Sequence, residues 1–210
     1  MLVVAAILVG YGLGCAVTGY YLVRWRTGQD IRALGSGKVG ATNVGRRLGR
    51  GWALATVAGD VGKGALAVTI AHELDLGLSW TAAVACAVVA GHIWPAQLGF
   101  RGGRGAATAF GAALALAPVA AAGALLVAAV IAKITGRATP AGLVGIAAAP
   151  LLALAVDGRA AGLAVGGLAA IVLAAHRDHL VSLGRTGARP PDHHAPHEGI
   201  AVPVVPDRGS

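Results

Sequence analysis

Long apolar runs constrain this chain more than any other feature of its sequence. They are rich in Ala, Val and Leu and extend over residues 2–23, 52–72, 79–98, 106–117, 119–133, 139–156 and 160–175. A helix of about 20 residues crosses the roughly 30 Å hydrocarbon core of a bilayer. Only 12% of the residues are charged and the mean hydropathy is +0.72, values that exclude an ordinary soluble domain. We therefore predict an all-α, polytopic membrane protein with about seven transmembrane helices.

The number of crossings depends on Pro118, which separates the short fourth run from the fifth. If Pro118 only kinks one longer helix, the chain has six spans. Cytoplasmic loops of membrane proteins hold an excess of Lys and Arg. With seven spans and an external amino terminus, 15 of the 17 Lys and Arg residues lie on the cytoplasmic side, whereas six spans move the carboxyl-terminal arginines outside. We predict seven spans, with the carboxyl terminus in the cytoplasm.

The segment after the last apolar run differs from the rest of the chain. Residues 186–210 combine prolines and polar side chains without periodicity, which predicts a disordered cytoplasmic tail behind an integral membrane domain of residues 1–185. Three histidines of this tail lack a visible scaffold, so we predict neither a metal site nor a cofactor. The net charge of +8 favours anionic membrane lipids and anionic substrates. Because membrane topology explains this charge, nucleic acid is not expected as a partner, and the sequence specifies no oligomeric state.

The first cytoplasmic loop combines the residue types that build anion sites. They are glycines, small hydroxyls, an amide and an arginine, namely Ser36, Gly37, Gly40, Thr42, Asn43 and Arg46. Glycines allow several backbone N–H groups to point at one anion, hydroxyls add donors, and a guanidinium adds a planar charged fork. The same composition also fits a flexible basic loop that only sets topology. Both interpretations stay open at this point.

A second glycine-rich basic segment leads into the fourth apolar run. Gly102, Gly103, Arg104 and Gly105 precede a helix that we expect to begin at residue 106 and to contain Thr108. Helix N-termini attract phosphate groups through their unpaired N–H groups and their dipole. Both loops are predicted to face the cytoplasm, so together they predict one site for a phosphorylated ligand. Neither loop contains the P-loop pattern.

Ionisable residues also occur at the apolar runs themselves. Asp60 and Lys63 lie three residues apart, on one helical face, within the second run. An unpaired charge at mid-bilayer costs about 2.5–3.5 kcal/mol or more, so we expect an ion pair, which has either a structural role or a part in the anion site. His176 and His179 follow the last run on the cytoplasmic side. They form either an interfacial polar cap or part of the same site.

Three segments together resemble a known family. They are Gly35-Ser36-Gly37 with Gly40-Ala41-Thr42-Asn43-Val44, then Asp60-Val61-Gly62-Lys63-Gly64, then Gly91-His92-Ile93-Trp94-Pro95 through Phe100-Arg101-Gly102-Gly103-Arg104-Gly105-Ala106-Ala107-Thr108. Their order and spacing over about residues 1–185 resemble the bacterial membrane acyl-phosphate:glycerol-3-phosphate acyltransferases, the PlsY family. The resemblance implies acyl transfer from acyl phosphate to the 1-hydroxyl of sn-glycerol 3-phosphate, which forms lysophosphatidic acid and phosphate in phospholipid synthesis. It also implies a multi-pass protein of the bacterial cytoplasmic membrane, with its active site facing the cytoplasm.

The resemblance also implies roles for individual residues. The implied catalytic residues are Ser36, Arg46, Arg104 and His176. The implied substrate-binding residues are Gly37, Gly40, Thr42, Asn43, Lys63, Gly102, Gly103, Gly105, Thr108 and His179. The chain departs from the family pattern where Lys38 replaces Asn, Arg101 and Arg104 replace Lys, and His179 replaces Asn. These departures leave a catalytically impaired or repurposed relative as an alternative, and an anion transporter is a further one, although the runs offer little polar surface to line a path.

Overall fold

The structure, a computed structural model, describes residues 1–184 and the side chains of residues 1–181. Regular structure in this part of the chain is helical, without β-strands, so the all-α prediction is confirmed. Residues 1–184 form ten α-helices: α1 (Leu2–Cys15), α2 (Thr18–Thr27), α3 (Ala41–Leu48), α4 (Arg50–Glu73), α5 (Leu78–Ile93), α6 (Ala106–Leu116), α7 (Pro118–Thr135), α8 (Ala138–Val156), α9 (Arg159–Ala175) and α10 (Arg177–Gly184). Short 3-10 turns occupy Ile31–Ala33 and Ala96–Leu98.

Two compact units divide the chain. The first comprises Met1–Arg177, and the second begins at Asp178. The predicted tail of residues 186–210, with its three histidines, lies outside the described residues. The domain boundary at residue 185 therefore stays a prediction.

Four helical segments among the described residues are long and apolar enough to cross a membrane: α4, α5 with its following 3-10 turn, α7 and α8. The bent pair of α1 and α2 makes a fifth if it counts as one span. The apolar helices α6 and α9 are shorter, and the 11 residues of α6 rise only about 16 Å. Length and composition thus support four to five spans, and the predicted seven are not established by these criteria. Pro118 starts α7 as a separate helix after α6, so the single kinked helix of the six-span alternative does not form.

The first apolar run, predicted as one span over residues 2–23, consists of two helices rather than one. A two-residue break separates α1 from α2, with a bend of 41°. Lys63 Nζ donates to the carbonyls of Gly14 at 3.2 Å and Ala16 at 2.9 Å, and Gln97 Nε2 donates to the carbonyl of Cys15 at 2.5 Å. A backbone polar group left without a partner in hydrocarbon is costly. Side chains from distant parts of the sequence therefore stabilise the break.

Glycines allow the helices around this break to approach closely. Gly14 of α1 and Gly91 of α5 each lie against a backbone carbonyl of the opposite helix, and so do Gly64 of α4 and Gly111 of α6. A Cβ at any of these four positions would overlap that backbone. Membrane helices gain packing energy and interhelical contacts when small residues line their crossings. The two crossings place Lys63, next to Gly64, and His92, next to Gly91, in the interior of the helical unit.

Candidate active site

The buried side chain of Asn43 organises the first loop. Asn43 is 2% exposed, and its Nδ2 donates to the carbonyls of Leu34 at 3.0 Å and Lys38 at 2.9 Å. Its Oδ1 accepts from the backbone N–H of Ser36 at 3.4 Å. Gly37 takes a left-handed conformation with φ of +68°, which a residue with a Cβ rarely adopts. The amide of Asn43 thus shapes the loop from inside, beneath the exposed Ser36.

The helix that follows this loop is short and carries the remaining residues predicted there. Gly40 precedes α3 in an extended conformation and serves as its N-cap. Thr42 lies exposed in the first turn of α3, and Arg46 lies exposed in its last turn. The surface of the first loop therefore presents a hydroxyl, a guanidinium and the N–H groups of a helix N-terminus.

The second loop is tied back onto the end of α5. The backbone N–H groups of Gly102 and Gly103 donate to the carbonyls of Ile93 and His92, each at 3.0 Å. Neither glycine has room for a Cβ, which would overlap the backbone carbonyl of His92 at Gly102 and the His92 ring at Gly103. Gly105, with φ of +78°, caps α6, which begins at residue 106 as predicted. Residues 102–105 form a short segment bonded to the end of α5, which we call the glycine turn, and the half-buried Arg104 is part of it.

Arg32 joins the two loops. Its Nη1 donates to the carbonyl of Leu98 at 2.7 Å, and its guanidinium stacks on Tyr20 at 5.3 Å from the ring centroid. Beside this link lies an open cleft of about 740 Å³. Its lining comes from both loops and consists of Asp30, Arg32, Ala33, Gly37, Leu98, Gly99, Arg101 and Gly102. The structure therefore brings the two glycine-rich loops to one cleft.

The charged side chains of the cleft give it an excess of positive charge. Arg32 and Arg101 contribute two guanidinium groups, and Asp30 contributes one carboxylate, 2.7 Å from Arg32. Hydrogen bonds from the Arg32 side chain hold the pKa of Asp30 below its ordinary value of 3.8. The Asp30 carboxylate in turn raises the pKa of Arg32. Guanidinium groups next to glycine-rich backbone suit phosphate, because they supply charge and several N–H donors at once.

A polar cluster lies in the interior beside the second loop. Asp60 and Lys63, which are 4% and 8% exposed, form the predicted ion pair, with Lys63 Nζ 2.8 Å from Asp60 Oδ1. Thr18 donates its hydroxyl to the same carboxylate oxygen at 2.9 Å. Lys63 Nζ also lies 2.8 Å from Nδ1 of His92. We call Thr18, Asp60, Lys63 and His92 the buried polar cluster.

Two further predicted residues lie in α6, which follows the glycine turn, and at the end of α9. The hydroxyl of Thr108, in the first turn of α6, is buried and has no hydrogen-bond partner within the described part of the chain. His176 follows α9 and is 6% exposed, with Nδ1 2.8 Å from the carbonyl of Val172. A carbonyl oxygen only accepts, so Nδ1 carries the proton and Nε2 is the basic nitrogen. His179 belongs to the second unit, and its predicted part in the site stays a prediction.

Comparison with known proteins shows which family has this arrangement. A family profile described as "Glycerol-3-phosphate acyltransferase" matches residues 4–186. The chain belongs to the glycerol-3-phosphate acyltransferase family. Curated members similar to it include one from Desulfitobacterium hafniense, 45% identical over 83% of this chain and 87% of the relative, and one from Geobacter sulfurreducens, 41% identical over 82% and 89%.

Solved structures of this acyltransferase family have the same fold. PlsY (YgiH), an integral membrane glycerol 3-phosphate acyltransferase, matches in its glycerol 3-phosphate form with a TM-score of 0.80 and 28% identity, over 87% of this chain and 92% of that one. Its lysophosphatidic acid form matches with a TM-score of 0.79 and 26% identity over the same shares. The family predicted from the three segments and the membrane setting are confirmed. A repurposed relative and an anion transporter are not favoured.

Three residues around the candidate site have no role predicted from the sequence. Arg32 and Gln97 belong to none of the three segments that resemble the family, and His92 is only one member of the third segment. The signal for His92 was its position directly before the segment that leads to the glycine turn. Arg32 gave no comparable signal, because its contact with Leu98 joins residues 66 positions apart.

Proposed function

We propose that this protein transfers a fatty acyl group from an acyl phosphate to the 1-hydroxyl of sn-glycerol 3-phosphate. The hydroxyl oxygen attacks the acyl carbonyl carbon and forms an ester bond. The bond between that carbon and the phosphate oxygen breaks, and inorganic phosphate leaves with the electron pair. The products are lysophosphatidic acid and phosphate, and the hydroxyl proton passes to a base.

Membership in the glycerol-3-phosphate acyltransferase family carries this proposal. The cleft shared by the two loops supports it independently, because both proposed substrates carry phosphate and the cleft offers guanidinium groups and glycine-rich backbone. An acyl phosphate is a mixed anhydride with a good leaving group. Orientation and neutralisation of charge therefore lower the barrier without a protein nucleophile.

We assign contacts with phosphate to the exposed groups of the two loops. Ser36, Thr42 and Arg46 present donors around Gly37 and Gly40 of the first loop. Arg104 presents the charged donor of the second loop, with the unpartnered hydroxyl of Thr108 behind it. Asn43 and Lys63 are already bonded to protein carbonyls, so we assign them to holding the site in shape.

His176 is the base in this proposal. Hydrogen bonding of Nδ1 to the Val172 carbonyl fixes the tautomer in which Nε2 accepts a proton. Val172 at the end of α9 belongs to the same apolar cluster as Ile93 and Ala106, which flank the second loop. Removal of a general base typically costs about a hundredfold or more in rate. His176→Gln is accordingly expected to lower kcat far more than it changes either KM.

An apolar cavity next to the glycine turn suits the acyl chain. It has a volume of about 180 Å³ and begins at Ala106, directly after Gly105. Small side chains of α6, α7, α8 and α9 line it, among them Ala109, Ala113, Ala124, Gly145 and Ala169. A lipid-like donor thus finds apolar surface adjacent to the proposed phosphate contacts.

The proposal includes an orientation in the bacterial cytoplasmic membrane. The bent pair α1–α2, the helices α4, α5, α7 and α8, and the shorter α6 and α9 give seven crossings in total. With an external amino terminus, both glycine-rich loops face the cytoplasm, and most Lys and Arg residues lie on that side.

A direct assay tests the proposed reaction. Purified protein in detergent is supplied with palmitoyl phosphate and labelled glycerol 3-phosphate, and labelled lysophosphatidic acid is measured. We expect product that depends on both substrates and on the protein, together with one phosphate released for each product molecule. Absence of product, with the protein folded, contradicts the proposal. Product formed with palmitoyl-CoA but not with palmitoyl phosphate contradicts the choice of donor.

A further inference from the structure

His92 is the point where the buried polar cluster meets the glycine turn. Its backbone carbonyl accepts the N–H of Gly103 at 3.0 Å, and the next carbonyl, of Ile93, accepts the N–H of Gly102. The position that a Cβ of Gly103 would occupy overlaps Nε2 of the same histidine. Both the backbone and the ring of His92 thus hold the turn.

The other side of the ring is fixed by Lys63. The ammonium group can only donate, so Nδ1, which also lies 3.5 Å from Asp60 Oδ1, accepts one of its three hydrogens across the 2.8 Å contact. Nε2 of the neutral ring then carries the hydrogen, and this is the nitrogen that faces Gly103. The other two ammonium hydrogens serve the carboxylate of Asp60 at 2.8 Å and the carbonyl of Ala16 at 2.9 Å, and the Gly14 carbonyl is the longest contact, at 3.2 Å. The ring therefore has one orientation, set by groups from three helices.

From these contacts we infer that His92 is a positioning residue for binding of the acceptor: the Nε2 edge of its ring fixes the Gly102–Gly103 backbone, and so sets the position of Arg104, which follows it, for the phosphate of glycerol 3-phosphate. This inference rests on the proposed function for the identity of the ligand. His92 contacts the turn, and in the proposed function Arg104 of the turn contacts the substrate. A loss of His92 should therefore appear in the KM for glycerol 3-phosphate and leave the KM for the acyl donor unchanged.

Two amide substitutions of His92 test the contacts of its two ring nitrogens separately. The side-chain amide of Asn lies where Nδ1 lies in histidine, and that of Gln lies where Nε2 lies. His92→Asn thus keeps an acceptor for Lys63 and loses the contact with Gly103, whereas His92→Gln keeps a polar group at Gly103 and loses the acceptor at Nδ1. If His92 serves only as a partner of the buried Lys63 ammonium, the His92→Asn variant should bind glycerol 3-phosphate better than His92→Gln. If His92 positions the turn, the His92→Gln variant should bind it better.

We expect His92→Asn to raise the KM for glycerol 3-phosphate about tenfold or more, while His92→Gln retains most of the affinity. The KM for palmitoyl phosphate should change less than about twofold in both variants. His72→Asn, at an exposed histidine of α4, is the matched control. If His92→Asn performs as well as His92→Gln or better, or if both raise the two KM values together, the inference is overturned.

A double-mutant cycle tests the contact itself. Gly103→Ala places a methyl group against the ring and should raise the KM for glycerol 3-phosphate. In a His92→Ala background the ring is absent, so the same substitution should change that KM less than about twofold. Additive effects in the cycle contradict the coupling between the two residues.

Binding measurements keep this test separate from the test of the reaction. Titration calorimetry with glycerol 3-phosphate gives the affinity of each variant whether or not acyl transfer occurs. If the wild type binds glycerol 3-phosphate but forms no product, the proposed reaction fails, and the ranking of His92→Asn below His92→Gln still decides the role of His92. If the wild type does not bind glycerol 3-phosphate, the inference is overturned.

Discussion

Arg104 is the one charged residue within the glycine turn, between Gly103 and Gly105. We expect Arg104→Lys to retain acyl transfer, because the charge stays beside the turn. Arg104→Gln should lower kcat/KM about a hundredfold, since a charged donor to phosphate is lost. Initial rates of lysophosphatidic acid formation measure both variants. An Arg104→Gln enzyme as fast as the wild type places Arg104 outside the phosphate site.

The sequence predicts that the two loops form a site better than it predicts the role of each residue in them. Glycines, hydroxyls and arginines in one short segment predicted a phosphate site, and the cleft does bring the two segments together. The sequence did not reveal which of these residues shape the loop. Asn43 is a residue type that often contacts ligands, but its side-chain amide is buried and bonded to backbone carbonyls of its own loop. Such a distinction depends on where the side chain points.

The ion pair of Asp30 and Arg32 should make the link between the loops depend on pH. The pKa of Asp30 is lowered in the folded protein by its hydrogen bonds to Arg32. The folded state thus binds this proton less tightly than the unfolded state, so the stabilisation is complete above about pH 4 and is lost as the pH falls through the lowered pKa. Both side chains are about a third exposed, which limits the contribution to about 0–1 kcal/mol.

The substitution Asp30→Asn tests this pH dependence of stability. The variant should unfold at a slightly lower temperature than the wild type at pH 7, and the difference should shrink as the pH falls from about 4 through the lowered pKa of Asp30, where the wild type loses the carboxylate charge. Circular dichroism in detergent gives the midpoints. A difference that does not shrink as the pH is lowered means that the charge of Asp30 does not stabilise the fold.

At the scale of elements, apolar runs located helices well where the helices are continuous. The run 52–72 became α4, and the run 139–156 became α8, with ends shifted by two residues or fewer. The run 2–23 became two helices, because hydropathy does not reveal a short break in a helix. Lys63 and Gln97 supply donors to this break from far along the chain, and no local pattern contains that information.

The crossing of α4 and α6 offers a matched pair of glycines. A Cβ at Gly64 would overlap the carbonyl of Thr108, whereas one at Gly62, on the same helix, would meet nothing. We expect Gly64→Ala to destabilise the protein by about 1–3 kcal/mol, because the backbones must separate. Gly62→Ala should leave the unfolding midpoint unchanged or raise it slightly, since alanine favours helix. Equal effects at the two positions contradict the close crossing.

At the scale of the whole molecule, the proposed orientation predicts the side of every loop. A reporter inserted beside Asp75, between α4 and α5, should be external, and one fused after Arg189 should be cytoplasmic. An odd number of crossings separates the amino terminus from the carboxyl terminus, and the distribution of Lys and Arg sets the direction. Both reporters on the same side would exclude seven spans, and a cytoplasmic reporter beside Asp75 would exclude the shared cytoplasmic face of the two loops.

The break between α1 and α2 also imposes an order on synthesis. The carbonyls of Gly14 and Ala16 receive their donor from Lys63, which leaves the ribosome long after both helices have been made. Until then, the nascent chain holds backbone acceptors whose burial in hydrocarbon is unfavourable. We expect the first two helices to remain beside the insertion machinery or at the water interface until α4 enters the membrane. The amino-terminal end of this chain is thus synthesised first but reaches its final depth only after a later helix arrives.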